Sequence, residues 1–171
     1  VTVTTSDNDT AAPYATFVTK WGTEGSGNGQ FHYPVGVAVA PDGSVYVVEH
    51  GNNRIQTFTS DGTFVRKWGS WGTANRKFKQ PYGVAVASDS SVYVAEWGGN
   101  RIQKFTSDGT FVTKWGSSGT AAGKFRKPID VAVAPDGSVY VADWENKRIQ
   151  KFDSAGGFLL KWGMSYKPTG V

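Results

Sequence analysis

The sequence predicts an all-β chain in which one four-stranded antiparallel unit recurs three times. Three observations carry this. The segment F-V-T-K-W-G stands at 17–22 and returns at 111–116, with variants at 64–69 and 158–163. Its tryptophans, Trp21, Trp68, Trp115 and Trp162, are spaced 47 residues apart. A fixed period of that length marks a solenoid, a propeller or an array. Valine and aromatics abound while leucine occurs only at Leu159 and Leu160, a balance that favours strands over helices. Short apolar runs alternate with turn residues and show no helical period.

Each unit resolves into four runs. The first lies at 35–39, 82–86 and 129–133, small-sided and centred on G-V-A-V or D-V-A-V. Pro-Asp-Gly-Ser follows at 41–44 and 135–138, replaced by Ser88-Asp89-Ser90-Ser91 in the middle unit. Asp-Gly between apolar runs is a hairpin signal, because such a turn needs positive φ. The second run is V-Y-V from Val45, Val92 and Val139, and the third is R-I-Q-x-F from Arg54, Arg101 and Arg148. A second turn, T-S-D-G-T at 59–63 and 106–110, leads to the fourth run, which ends on the repeated tryptophan.

Four antiparallel strands in one such period match a propeller blade. The narrow G-V-A-V run suits the inner position where blades converge, and Phe and Trp suit the wide outer edge. Phe17 and Trp21 share one face of a strand, so the tryptophans are expected to pack between blades. The predicted layout is a leader at 1–16, an orphan outer strand at 17–22, blades at about 35–69, 82–116 and 129–163, and a short tail.

The fuller pattern is W-G-x-x-G, a Phe step, P-x-G-V-A-V, P-D-G, V-Y-V-A-[DE], N-R-I-Q-x-F. It resembles the NHL-repeat family of β-propellers over residues 17–163. The name-giving tripeptide corresponds to Asn53-Arg54-Ile55, Asn100-Arg101-Ile102 and Lys147-Arg148-Ile149. The third copy departs at Lys147, with Asn146 beside it. The resemblance implies rings of about six blades. Three blades make only part of a ring, so the sequence predicts a partial propeller.

Bulk properties exclude several functions. There is no cysteine, hence no disulfide, thiolate metal site or cysteine nucleophile. No apolar run reaches the length of a membrane span. No nucleophile elbow, phosphate loop or His-Glu-x-x-His motif occurs, and no cofactor is expected. The net charge of +4 permits an acidic partner without requiring one. Val1 as first residue fits either a processed secreted chain or a trimmed one; an extracellular setting is expected, and there Asn8 of the Asn8-Asp9-Thr10 sequon is a glycosylation candidate.

Candidate sites follow from position. The first and last units carry no polar cap, which terminal repeats need for solubility. An unpaired edge strand is a template for another chain. Self-association through the ends is therefore expected, involving Val1 and Val3 of the leader, Phe17 and Trp21, and Phe158 and Trp162. Two copies would supply six blades with one outer strand too many in each, so a head-to-tail filament is favoured over a closed pair. A second candidate is a rim where His50, Trp97 and Trp144 hold equivalent positions. Its neighbours are Arg76, Lys77 and Lys79 in one loop and Lys124, Arg126 and Lys127 in the next. Basic groups among flat aromatics suit RNA or an anionic glycan. Some relatives in the family are metal-dependent lyases using several rim histidines, whereas this chain has only His32 and His50. Glu49, Glu96 and Asp143 are expected to accept backbone N–H bonds from the turn after the second strand. Asp130 replaces the glycine at 36 and 83, which puts a carboxylate near the central axis.

Overall fold

The computed structural model describes residues 17–163 and 166–171. The leader, with Val1, Val3 and Asn8, lies outside the described residues. Among these there is no helix, and the strands form three four-stranded antiparallel sheets and one two-stranded parallel pair. The parallel pair is β1 (Thr23–Glu24) with β2 (Gln30–Phe31). The first blade is β3 (Pro34–Val39), β4 (Val45–Glu49), β5 (Arg54–Phe58) and β6 (Phe64–Trp68), in that spatial order. The second is β7 (Pro81–Val86), β8 (Val92–Glu96), β9 (Arg101–Phe105) and β10 (Phe111–Trp115). The third is β11 (Pro128–Val133), β12 (Val139–Asp143), β13 (Arg148–Phe152) and β14 (Phe158–Gly163).

The turn chemistry sets the registers. Gly43 and Gly137 carry φ of 84° and 81° at the first hairpin, and Ser90 takes φ 65° where the middle unit lacks glycine. Asp42 Oδ1 accepts the Ser44 N–H at 2.9 Å and fixes that turn. The hairpin then aligns Val39 with Val45 and Val37 with Val47. Inner strands β3, β7 and β11 lie side by side, β7 between the other two. Glycine is required here by close approach: a Cβ on Gly36 would come within 2.6 Å of the Tyr82 carbonyl oxygen.

Two apolar cores lie between blades rather than within them. Ala40, Tyr46, Val48, Ile55 and Trp68 of the first blade meet Phe78, Val84, Val92, Val94 and Phe105 of the second. The same positions of the second blade meet Phe125, Val131, Val139, Val141 and Phe152 of the third. Apolar area removed from water is worth roughly 25 cal/mol per Å², and these two seams are where the blades bury it against each other. Tyrosines bolt them together: Tyr46 Oη donates to the Ser107 carbonyl at 3.1 Å, and Tyr93 Oη to that of Ser154 at 3.2 Å.

A buried polar clamp recurs in each blade. Glu49 accepts from Arg54 Nε at 2.6 Å and from Gln56 Nε2 at 2.9 Å. Arg54 also donates to the carbonyls of Ser26, Gly27 and Gln30, fastening the outer loop to its blade. Glu96–Arg101–Gln103 and Asp143–Arg148–Gln150 repeat the arrangement. The N–H that these carboxylates accept comes from the loop before the blade, His32, Lys79 and Arg126. This corrects the expectation that they serve the following turn. The sequence separation is 17 residues, so only the fold reveals the partner.

Residues 17–22 form no strand, contrary to expectation. Their pattern is strand-like, but an outer strand needs a neighbouring backbone edge, and no sheet offers one there. Phe17 is exposed.

Candidate functional site

The two ends of the array are the largest departures from a closed fold. On the leading face of the first blade, Val37 is 66% exposed, while its counterparts Val84 and Val131, covered by a preceding blade, are 7% and 3% exposed. On the trailing face of the third blade, Trp162 is 40% exposed against 4% for Trp68. Phe158, Leu159 and Leu160 are exposed as well. Phe158, Trp162 and Trp21 thus stand at the open ends.

The two ends carry the residue types that meet in the internal seams. The trailing face presents Ala132, Tyr140, Ile149 and Trp162, which line a cavity of about 410 Å³. The equivalent positions in the first blade are Ala38, Tyr46, Ile55 and Trp68, all in or against the first seam. The leading face presents Val45, Val47 and Phe58, with Phe31 and Phe64 against them. These correspond to the second blade's Val92, Val94, Phe105, Phe78 and Phe111.

Trp21 sits on the leading face. Its ring lies 6.2 Å from that of Phe58 and directly over Gly62, where a Cβ would clash with the indole. Trp68 meets Phe105 at 5.9 Å over Gly109, and Trp115 meets Phe152 at 5.8 Å over Gly156. The φ of 89° at Gly62 and the flat indole explain why this slot takes glycine below and tryptophan above. Trp21 reaches it because its loop is built like the others: Gly25 donates to the Phe31 carbonyl at 3.0 Å, as Gly72 does to Phe78.

The short tail repeats the start of a blade. Residues 167–171 read K-P-T-G-V, close to K-P-I-D-V at 127–131 and Q-P-Y-G-V at 80–84. Trp162 lies six residues before Pro168, whereas Trp115 lies thirteen before Pro128, so the tail falls outside the 47-residue period. The structure places the tail accordingly. Pro168 is buried like Pro81 and Pro128. Lys167 Nζ sits 3.6 Å over the Trp144 ring, as Lys127 Nζ sits 4.6 Å over Trp97. Val171 N donates to Asp130 Oδ2 at 3.0 Å. Asp130 is thus tied to the tail, and its other oxygen accepts the Val131 N–H.

The rim gathers His50, Trp97 and Trp144 around one cavity of about 510 Å³, with Tyr82, Ile129 and Thr169. His50 Nδ1 is buried without a protein partner. Lys79, Arg126 and Lys127 share a groove with Trp97. Lys127 is already paired with Glu145 at 2.6 Å and lies between the two indoles, 6.0 Å from Trp144. Lys77 and Lys124 lie over Gly72 and Gly119 of their own loops, and the Arg76 N–H donates to Gln103. Lys79, Arg126 and Lys127 thus share the groove at Trp97, and Arg76, Lys77 and Lys124 are exposed on the adjoining loops. No group of three or more His, Asp or Glu able to hold a metal ion occurs among the described residues.

Lys147 marks one more difference at the trailing end. Asn53 Oδ1 and Asn100 Oδ1 each accept an N–H from the next blade, that of Gln80 or Lys127, at 2.9 Å. A lysine side chain has no acceptor. Asn146 does not substitute, because it donates to Asp143 and Gly119, as Asn52 does to Glu49 and Gly25.

An open array of four-stranded blades with adjacent inner strands defines a partial β-propeller. Residues 31–58 and 125–152 match the family model of the NHL repeat. Solved structures agree on the fold. Streptogramin B lyase is 19% identical with a TM-score of 0.61, covering 75% of this chain and 40% of its own. A catalytically inactive virginiamycin B lyase from Staphylococcus aureus, solved with quinupristin, is 20% identical with a TM-score of 0.63, covering 80% and 44%. Hydrazine synthase of Kuenenia stuttgartiensis is 17% identical with a TM-score of 0.64, covering 81% and 38%. The chain thus spans about two fifths of the length of these structures. No curated protein matches it. The fold serves enzymes, as the two lyases illustrate, as well as interaction scaffolds, so function must be argued from the sites.

Proposed function

We propose that this chain is an interaction module whose partner is a second copy of itself, met head to tail. The observation that carries the reading is that its two open faces are the two halves of an interface the molecule builds twice internally. In such a contact Phe58 of one copy packs on Trp162 of the other, and Tyr140 donates to the Ser60 carbonyl, as Tyr46 does to Ser107. A heterologous contact of this kind closes into a ring or runs on as a filament. The surplus segment at 17–22 favours the filament. Sedimentation velocity across a concentration series tests the reading. Species growing with concentration support it, and a single monomer at every concentration overturns it.

A second reading rests on the rim. Lys79, Arg126 and Lys127 beside Trp97 and Trp144 suit an anionic polymer, with bases or sugar rings stacked on the indoles. Binding to RNA or an acidic glycan should then weaken with salt. It should vanish in a Lys79→Glu, Arg126→Glu variant whose thermal melt is unchanged. Absence of salt-dependent binding in the native protein ends this reading.

A further inference from the structure

We propose that the chain carries its own stand-ins for the missing neighbouring blades, and that a second copy must displace them to dock. This rests on the head-to-tail reading above. At the leading end the stand-in is Trp21. It fills the slot over Gly62 and beside Phe58 that a partner's outer strand would fill with Trp162. Residues 17–22 are held by no strand pairing, so the segment can leave without breaking a sheet. At the trailing end the stand-in is 167–171. Gly170 approaches Asp130, and Val171 donates to it. Asp130 also touches the position of Gly83 on the inner strand of the blade before, so the tail lies on its opposite side, where the next inner strand belongs. The partner's Pro34–Val39 would need that same place.

The stand-ins cover little. A single indole and five residues replace a four-stranded blade, and Val37, Trp162 and Leu160 stay exposed. Gly170 and Val171 line the apolar cavity beside Tyr140 and Trp162 without filling it. A docked blade buries more apolar surface than either stand-in, so exchange favours the partner once its concentration is high enough. Below that concentration the intramolecular groups win, because their effective concentration is fixed by the chain. The result is a threshold in assembly, set by residues at the two ends.

The test compares four proteins by sedimentation: the native chain, Trp21→Ala, a chain shortened by residues 164–171, and the two changes combined. Each change should tighten association about tenfold or more, because a pre-occupied site reduces apparent affinity by the fraction left open. Adding Trp162→Ala to the combined variant should abolish the gain. Trp21→Ala carries the test alone if the shortened chain melts early, since it alters an unpaired segment. Equal association of the native and altered chains overturns the stand-in proposal and leaves the head-to-tail reading intact. Weaker association after either change also overturns it, because the ends would then bridge subunits. No association in any of the four overturns both.

Discussion

Replacing Trp68 by alanine should cost the fold about 3–4 kcal/mol. The side chain is 4% exposed. It lies edge-on to Tyr46 at 6.2 Å, 5.9 Å from Phe105 and directly over Gly109. Aromatic-to-alanine changes in cores cost about 3–5 kcal/mol, from lost transfer energy and the cavity left behind. One feature pulls the value down. Trp68 Nε1 is buried without a partner, and removing an unsatisfied donor returns part of a penalty of about 1–3 kcal/mol. Trp162→Ala is the internal control, the same residue in the same strand position but 40% exposed. With more than a third of its surface already wet, it should cost about half as much, roughly 1–2 kcal/mol. Urea unfolding of dilute protein, compared at constant m, gives both numbers. A cost below about 1 kcal/mol for Trp68→Ala, or equal costs for the two variants, would refute the assignment of the tryptophan to the seam between blades.

Arg101→Ala should be more damaging than its distance from any surface site suggests. It strands Glu96, which is fully buried, and an uncompensated buried charge costs about 3–5 kcal/mol; a thermal melt within a degree or two of native would contradict the clamp. The Thr106 hydroxyl and the Thr110 N–H hold the Asp108 carboxyl down from 3.8 to about 2. A depressed folded pKa gives stability that is present above pH 3.8 and lost as pH falls toward 2; Asp108→Asn should flatten stability across that window, and an unchanged acid limb would contradict it. Lys147→Asn should restore the acceptor that Asn53 and Asn100 supply to their next blades. One added hydrogen bond is worth about 1 kcal/mol, so in a chain shortened by residues 164–171, where the tail's Lys167 cannot take the new acceptor, association by sedimentation should tighten several-fold, and no change would mean that a second copy does not dock at this edge.

Much of the architecture was readable before any coordinates. The tryptophan period, the Asp-Gly turns and the small G-V-A-V run placed all twelve blade strands, because each is a local signal of pairing geometry. What local signals could not convey was partnership. The segment at 17–22 has the same letters as 111–116, yet it forms no strand, because the backbone it needs to pair with is absent. The Glu49–Arg54–Gln56 clamp reaches back to Ser26 and His32, a contact that exists only once the outer loop folds over the blade. The tail escaped because its spacing is seven residues shorter than the period and it contributes only the start of an inner strand. At the rim the sequence named His50, Trp97 and Trp144 correctly as neighbours. Which of the cations share a groove was not legible, because the positions of Lys79, Arg126 and Lys127 beside Trp97 depend on how the loops of two blades meet.

The central claim is that the leading face of one copy receives the trailing face of another. The most direct measurement is a thiol crosslink across that contact, made possible by the absence of native cysteine. The Tyr46 hydroxyl reaches the Ser107 carbonyl across the first internal seam, so Tyr140→Cys and Ser60→Cys should face each other across the contact between copies about a tyrosine side chain apart, too far for a direct disulfide and within reach of a short bis-maleimide. The two variants are mixed, treated with the bis-maleimide and run on a denaturing gel. A crosslinked pair that forms in the mixture, and in neither variant alone, is the predicted result. The same yield from each variant treated alone, or no crosslink at concentrations where larger species sediment, would contradict the claim.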